Sequence, residues 1–263
     1  MNFWETFGLI LGVGLLGGCS AGVLGVFIIG LRMPFTAVFT AHAAMAGAVF
    51  GTLFGLPVFA AGFGGALIGA LVLGWLLRSR DIDPNVALGS LFSLMMGVAF
   101  LGIGISKGPK SPLLGLMWGN LLFVGRNQFI VMLVVTAALA AFITVFGKEL
   151  KMILFSRELA SYMIPEWAVF TALLIFSAGV ITVNLETVGG LLLYSLIANP
   201  AVAALRITRS YTSTLVLSGM FGGLSALGGF LAAYWFNLPI GACIALFSSF
   251  LVGLMYAASL SVS

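Results

Sequence analysis

The sequence predicts an all-α fold, a polytopic bundle of membrane-spanning helices, with eight or nine spans in a single transmembrane domain over residues 1–263. Three observations predict it. Of the 263 residues, 62% are hydrophobic and only 7% charged, with a mean hydropathy of +1.23. A soluble domain carries about a quarter charged residues and needs them to cover a wet surface. Second, apolar runs of about 20 residues recur along the chain, the length that crosses a hydrocarbon core of roughly 30 Å as a helix. Third, nearly all charge falls between those runs. Regular helix satisfies every backbone polar group within the segment, as lipid requires.

In chain order the spans are expected at Phe7–Leu31, Phe35–Leu56, Val58–Leu77, Val86–Ile105, Phe129–Phe146, Trp167–Val183, Val188–Leu205, Thr214–Phe236 and Ile240–Leu260. A re-entrant Phe35–Leu56 or a re-entrant last run would leave eight. The first run is too long for a signal-peptide core and has no basic flank, so no cleavable leader is expected. Cys19 and Cys243 lie inside apolar runs and read as small packing residues. Glycine pairs such as Gly14/Gly18, Gly18/Gly22, Gly51/Gly55 and Gly65/Gly69 have the small-xxx-small spacing of closely packed membrane helices.

Charge orients the bundle. With alternating connections, one side receives Arg32, Arg78, Arg80, Lys148, Lys151, Arg157, Arg206 and Arg209. The other receives Lys107, Lys110 and Arg126. The richer side is expected in the cytoplasm, with Met1 outside and Ser263 inside. The net charge of +4 is explained by orientation and implies no nucleic-acid partner. The outer stretch from Lys107 to Gln128 is long and apolar in its middle. It reads as a lip over the outer mouth or as an interfacial helix anchored by Trp118.

The polar island at Lys148–Glu166 holds six of the chain's eighteen Asp, Glu, Lys and Arg residues. Phe155, Leu159 and Tyr162 fall at i, i+4 and i+7, one face of a short helix. An amphipathic cytoplasmic helix between two spans suits docking to a soluble partner. The chain has no Walker A pattern, nucleophile elbow or HExxH, so it is not expected to be an enzyme or to hydrolyse ATP itself.

Few residues can carry chemistry. His42 is the only histidine and lies within the second run. It reads as a transient metal ligand or as a neutral histidine bonded to a neighbouring helix carbonyl. Met45 shares its helical face, as a soft ligand or as filler. Glu186 is expected at an outer turn, as a hydrated turn residue or an acceptor for an entering cation. Asn199–Pro200 interrupts the seventh span, where proline predicts a kink that bends the helix or lines a path.

Several segments resemble the permeases of metal-ion ABC importers, the ABC-3 family serving zinc, manganese and iron(II). GVLGVFIIGLRMPFTAVFTAHAAMAGAVFG is similar to the family's first hairpin, with Arg32, His42 and Gly47 in place. LMWGNLLFV resembles its outer LFGxLL segment at Gly119 to Leu122, and FSRELA (Phe155 to Ala160) its FDxExA coupling start. VGGLLLYSLIANPAVAALRITRS resembles VGxLLxxALLxxPAxxAxLLTxS, including Pro200, Ala201 and Ala204. GGFLAAYWFNLPIGACIAL resembles the closing GLxxSYxxDLPxGAxI. The family's aspartate one turn before the histidine is Val38 here, its later proline is Ala46, and its coupling aspartate is Ser156.

The resemblance implies a permease in a prokaryotic inner (cytoplasmic) membrane, paired with a second copy around a central path. It implies separate ATP-binding ABC subunits docked on Phe155, Arg157, Glu158, Leu159, Ala160 and Tyr162, and an extracytoplasmic solute-binding protein. The cargo is expected to be a divalent metal, with no cofactor bound by this chain. Alternatives are a chelated metal or another small solute as cargo, or a stand-alone secondary transporter, which would need more intramembrane charge than His42 and Glu186 supply.

Overall fold

Apolar runs joined by short polar connections fold here into helices that cross side by side. The computed structural model describes residues 3–78, 82–106, 119, 121 and 124–260. Eleven helices lie among them: α1 (Phe3–Gly30), α2 (Thr36–Leu53), α3 (Val58–Leu76), α4 (Pro84–Ile105), α5 (Arg126–Val145), α6 (Gly147–Phe155), α7 (Arg157–Ser161), α8 (Glu166–Val188), α9 (Gly190–Ile207), α10 (Tyr211–Phe236) and α11 (Ile240–Leu260). Eight of these are long and apolar enough to cross a membrane. The ninth predicted span is α9, 18 residues long. It begins after Val188 because Gly189, at φ +93°, breaks the chain between α8 and α9. Neither α2 nor α11 is re-entrant; each is one continuous helix.

Side-chain pairs fix which helix ends lie together. Phe7 meets Phe230 and Tyr234, with ring centroids 6.0 and 5.4 Å apart, so α1 starts where α10 finishes. Phe27 meets Tyr211 at 6.4 Å, at the other end of the same antiparallel pair. That second end gathers the start of α4, where Asn85 donates to the Arg32 carbonyl at 3.1 Å. Arg78 lies 4.9 Å over the Trp167 ring there, joining the end of α3 to the start of α8. The ends of α9 and α11 join it through Arg206 Nε, which donates to Ser259 Oγ at 2.9 Å. Nine helices therefore alternate in direction, and the described chain starts at one end and finishes at the other. Arg32, Arg78, Lys148, Lys151, Arg157, Arg206 and Arg209 lie at the second, basic end, and Arg126 at the opposite one. Met1, Arg80, Lys107, Lys110, Trp118 and Ser263 lie outside the described residues, as does most of the expected outer lip. Gly119, at φ +76°, packs against the Val188–Gly189 joint, and Leu121 is buried beside Val13 and Phe230.

The α1–α10 contact shows why so much glycine is needed. Gly18 faces the Gly222 carbonyl and Gly22 the Ser218 carbonyl so closely that a Cβ on either would overlap backbone. Ser218 Oγ in turn donates to the Gly22 carbonyl. In lipid no hydrophobic gain drives helices together, so such close backbone packing and interhelical hydrogen bonding hold the bundle. Gly47 and Gly65 do the same between α2 and α3. Local signals set the ends: Asp83 Oδ1 caps α4 by accepting from Asn85 N and Val86 N, with Pro84 in the first turn. Cys19 and Cys243 are separate free thiols.

Candidate coupling face and metal path

The polar island differs from the single helix expected. Ser156 is extended (φ −162°, ψ 118°), ending α6 and starting α7, and its Oγ accepts from Leu159 N at 3.3 Å as the cap of the new helix. The reason is local: a serine followed by an acidic residue in the next turn favours a new helix start over continuation. The expected apolar face survives the break. Phe155, Leu159 and Tyr162 are 83, 56 and 82% exposed, joined by Met163 at 75%. Glu158 is exposed beside them. Leu150 and Ile153 of α6 are buried in the main core, which anchors the arm to the bundle.

Arg157 and Ala160 point the other way. Ala160 is 1% exposed. Arg157 Nε donates to Glu166 Oε1 at 2.6 Å, with 19% and 4% of the two side chains exposed, and its guanidinium sits 3.7 Å over the Phe170 ring. These two residues clamp α7 to the start of α8. Nothing in the sequence spacing marked Glu166 as the partner, because the nine-residue separation closes only through the turn at Ile164–Pro165.

His42 is 5% exposed in α2. Its Nδ1 lies 2.8 Å from the Val38 carbonyl oxygen, one turn back on its own helix and not on a neighbour. A carbonyl only accepts, so Nδ1 carries the proton and Nε2 keeps the lone pair that a metal would use. The ring stands edge-on to Phe92 of α4, with centroids 4.8 Å apart. Met45 packs in a different cluster, with Val49, Ala99 and Ile103. Among the described residues no three His, Cys, Asp or Glu side chains group closely enough to hold a metal ion.

Glu186 is not in a turn: α8 continues to Val188, leaving it half-buried in the last helical turn. It lines a cavity of about 220 Å³ with Phe59, Asn127, Gln128, Val131 and Val183, at the end opposite the basic one. The lining brings a carboxylate at the end of α8 beside two amides in the first turn of α5, where Gln128 Oε1 accepts from Gly125 N at 3.1 Å. Asn199 and Pro200 lie mid-way along α9, which runs through the proline. Asn199 Nδ2 donates to Ser248 Oγ and Ser249 Oγ of α11, each at 3.0 Å. Near this pair α1 packs tightly, with Gly25 against the Ile197 carbonyl.

Comparison with known proteins agrees with the geometry. The model of the ABC 3 transport family matches residues 6–258. The manganese transport system membrane protein MntC of Listeria monocytogenes is 26% identical over 91% of this chain and 86% of its own length. The manganese import system permease protein ScaB of Streptococcus parasanguinis is 25% identical over 88% and 83%. The solved structure of PsaBC from Streptococcus pneumoniae in complex with Fab has a chain that superposes with a TM-score of 0.84, at 24% identity, covering 97% of this chain and 91% of that one.

Proposed function

This chain belongs to the ABC 3 transport family, an integral membrane permease of metal-ion ABC importers, and from that premise we propose how it works and what it carries. The observation that carries the proposal is the exposed apolar face of α6 and α7, buttressed by the Arg157–Glu166 clamp, at the basic end. Basic connections are retained on the cytoplasmic side, so this face meets the cytoplasm, where ATP is available. Phe155, Leu159, Tyr162 and Met163 form the seat for a separate ATP-binding subunit, with Glu158 at its edge. Two copies of the chain enclose the path, and a solute-binding protein delivers cargo at the opposite end.

The cargo is a free divalent metal ion, with manganese favoured by the relatives' names. Glu186, with Asn127 and Gln128, receives the ion at the outer end, and His42 Nε2 offers one ligand within the bundle. With Val38 where a carboxylate would stand, that intramembrane site is weak, so selectivity rests on the delivering protein. A weak site suits transport, since each conformational state must release what the other binds. The test is co-purification with the ATP-binding subunit. The parent retains it, and the Phe155→Ala/Tyr162→Ala variant, folded and membrane-inserted, loses it. Undiminished co-purification by that variant would remove the docking assignment.

A further inference from the structure

Most of the polar side chains within the spans satisfy themselves on their own helix, as Ser177 does with the Leu173 carbonyl at 2.7 Å. Asn199 does not: it reaches across from α9 to Ser248 and Ser249 of α11. Asn199 is half-buried and Ser249 exposed, each at the middle of its helix and so at mid-depth in the membrane. Ser248, fully buried, backs them from inside.

The hydrogens of this cluster are all committed. Ser248 Oγ and Ser249 Oγ donate to the Ala245 carbonyl, at 2.8 and 2.9 Å. A carbonyl cannot donate, so both hydroxyl oxygens act as acceptors toward Asn199, and both are placed to take its amide N–H groups. That assignment fixes the amide orientation and leaves Asn199 Oδ1 with no donor among the described residues. Ser249 Oγ keeps one lone pair on the exposed side. The facet thus presents oxygens and no free N–H or O–H. Facing hydrocarbon, such oxygens would carry an uncompensated desolvation cost. A second copy's identical cluster could not satisfy them either, since its hydrogens are committed in the same way. Water or a cation can. Two turns toward the basic end, the same α9–α11 facet carries Arg206, bonded to Ser259 and 4.7 Å over Tyr256, and Gly253 between them meets only open space. The facet carries polar groups at mid-depth and again at that end, with Leu246 and Phe250 exposed beside Ser249.

We propose that the α9–α11 facet around Asn199 and Ser249 lines the water-filled path, and that Asn199 Oδ1 with Ser249 Oγ is a weak oxygen site for a partly hydrated divalent cation at mid-membrane. It rests on the metal-permease reading above and adds to it a stopping point made of hard neutral oxygens, the ligand type that suits manganese. Neutral ligands replace part of the hydration shell without trapping the ion, as a path requires.

The test uses the assembled transporter with Cys19 and Cys243 changed to alanine. Ser249→Cys is compared with Val134→Cys, an exposed mid-helix position on α5. The expected result is modification of Ser249→Cys by a charged, water-soluble methanethiosulfonate at least about tenfold faster than Val134→Cys, because such reagents do not enter hydrocarbon. Manganese(II) should slow that modification. Asn199→Leu and the smaller change Ser249→Ala should each lower manganese uptake several-fold with the ATP-binding subunit still bound, and Asn199→Asp should retain uptake. If the parent carries manganese but Ser249→Cys reacts no faster than Val134→Cys, the path assignment is overturned while the permease reading stands. If Ser249→Cys reacts fast, yet manganese gives no protection and Asn199→Leu transports at the parental rate, the cation site is overturned. If the parent carries no metal at all, it is the metal-permease reading that fails, and the ion site with it.

Discussion

Removing Arg157 should loosen the coupling arm by an amount the clamp's burial sets. Glu166 is 4% exposed at its side chain, and the guanidinium that faces it at 2.6 Å also covers Phe170. Arg157→Ala would leave a buried carboxylate without that partner, a change that costs about 3–5 kcal/mol when a buried pair is broken from one side. The low end is appropriate, since Arg157 keeps 19% exposure and water can reach part of the site. About 3 kcal/mol corresponds to roughly a hundredfold or more in the opening equilibrium of α7. The assay is amide hydrogen exchange on the purified full chain in lipid nanodiscs, read over Arg157–Ser161. Arg157→Ala should speed exchange there by about two orders of magnitude and leave α10 unchanged. Arg157→Ala combined with Glu166→Gln should recover much of the protection, because the buried charge is gone. Exchange within a few-fold of the parent in Arg157→Ala, or no recovery in the double variant, would refute the clamp.

Other consequences follow from the same contacts. His42→Ala should slow manganese uptake into proteoliposomes several-fold while the complex stays assembled, and Val38→Asp should tighten manganese binding by adding a carboxylate one turn from His42, read by titration of the purified transporter with manganese(II). Gly22→Leu should abolish membrane-inserted, folded protein by forcing α1 off the Ser218 carbonyl, whereas Gly64→Ala, where a Cβ meets nothing, should be neutral or stabilising by about 1 kcal/mol; detergent thermal melts compare the two. Glu186→Gln should weaken entry of the ion at low manganese concentration and leave the maximal rate nearly unchanged, as measured by uptake against concentration.

The spans were legible because lipid imposes a length and an apolar composition that a sequence displays directly. The glycine spacing was legible for the same reason, and Gly18 and Gly22 do sit against α10 backbone. The exposed face of Phe155, Leu159 and Tyr162 could be read from helical period, although that period ran across the Ser156 break. The serine cap was the available signal for the break. What stayed hidden were partners distant in sequence: Glu166 for Arg157, Phe92 for His42, and Ser248 and Ser249 for Asn199, some 50 residues away. Glu186 looked like a turn residue because polar NLET punctuates an apolar run; tertiary packing extended the helix through it to Gly189. Arg157 was expected at the docking face because the family resemblance covers the whole FSRELA segment, and only the fold turns it inward.

Manganese uptake into proteoliposomes holding this permease and its ATP-binding subunit tests the central claim most directly. Accumulation should require ATP, depend on the ATP-binding subunit, and be lost in the Phe155→Ala/Tyr162→Ala variant. Uptake by the permease alone under an imposed ion gradient, indifferent to ATP, would show a secondary transporter and contradict the account.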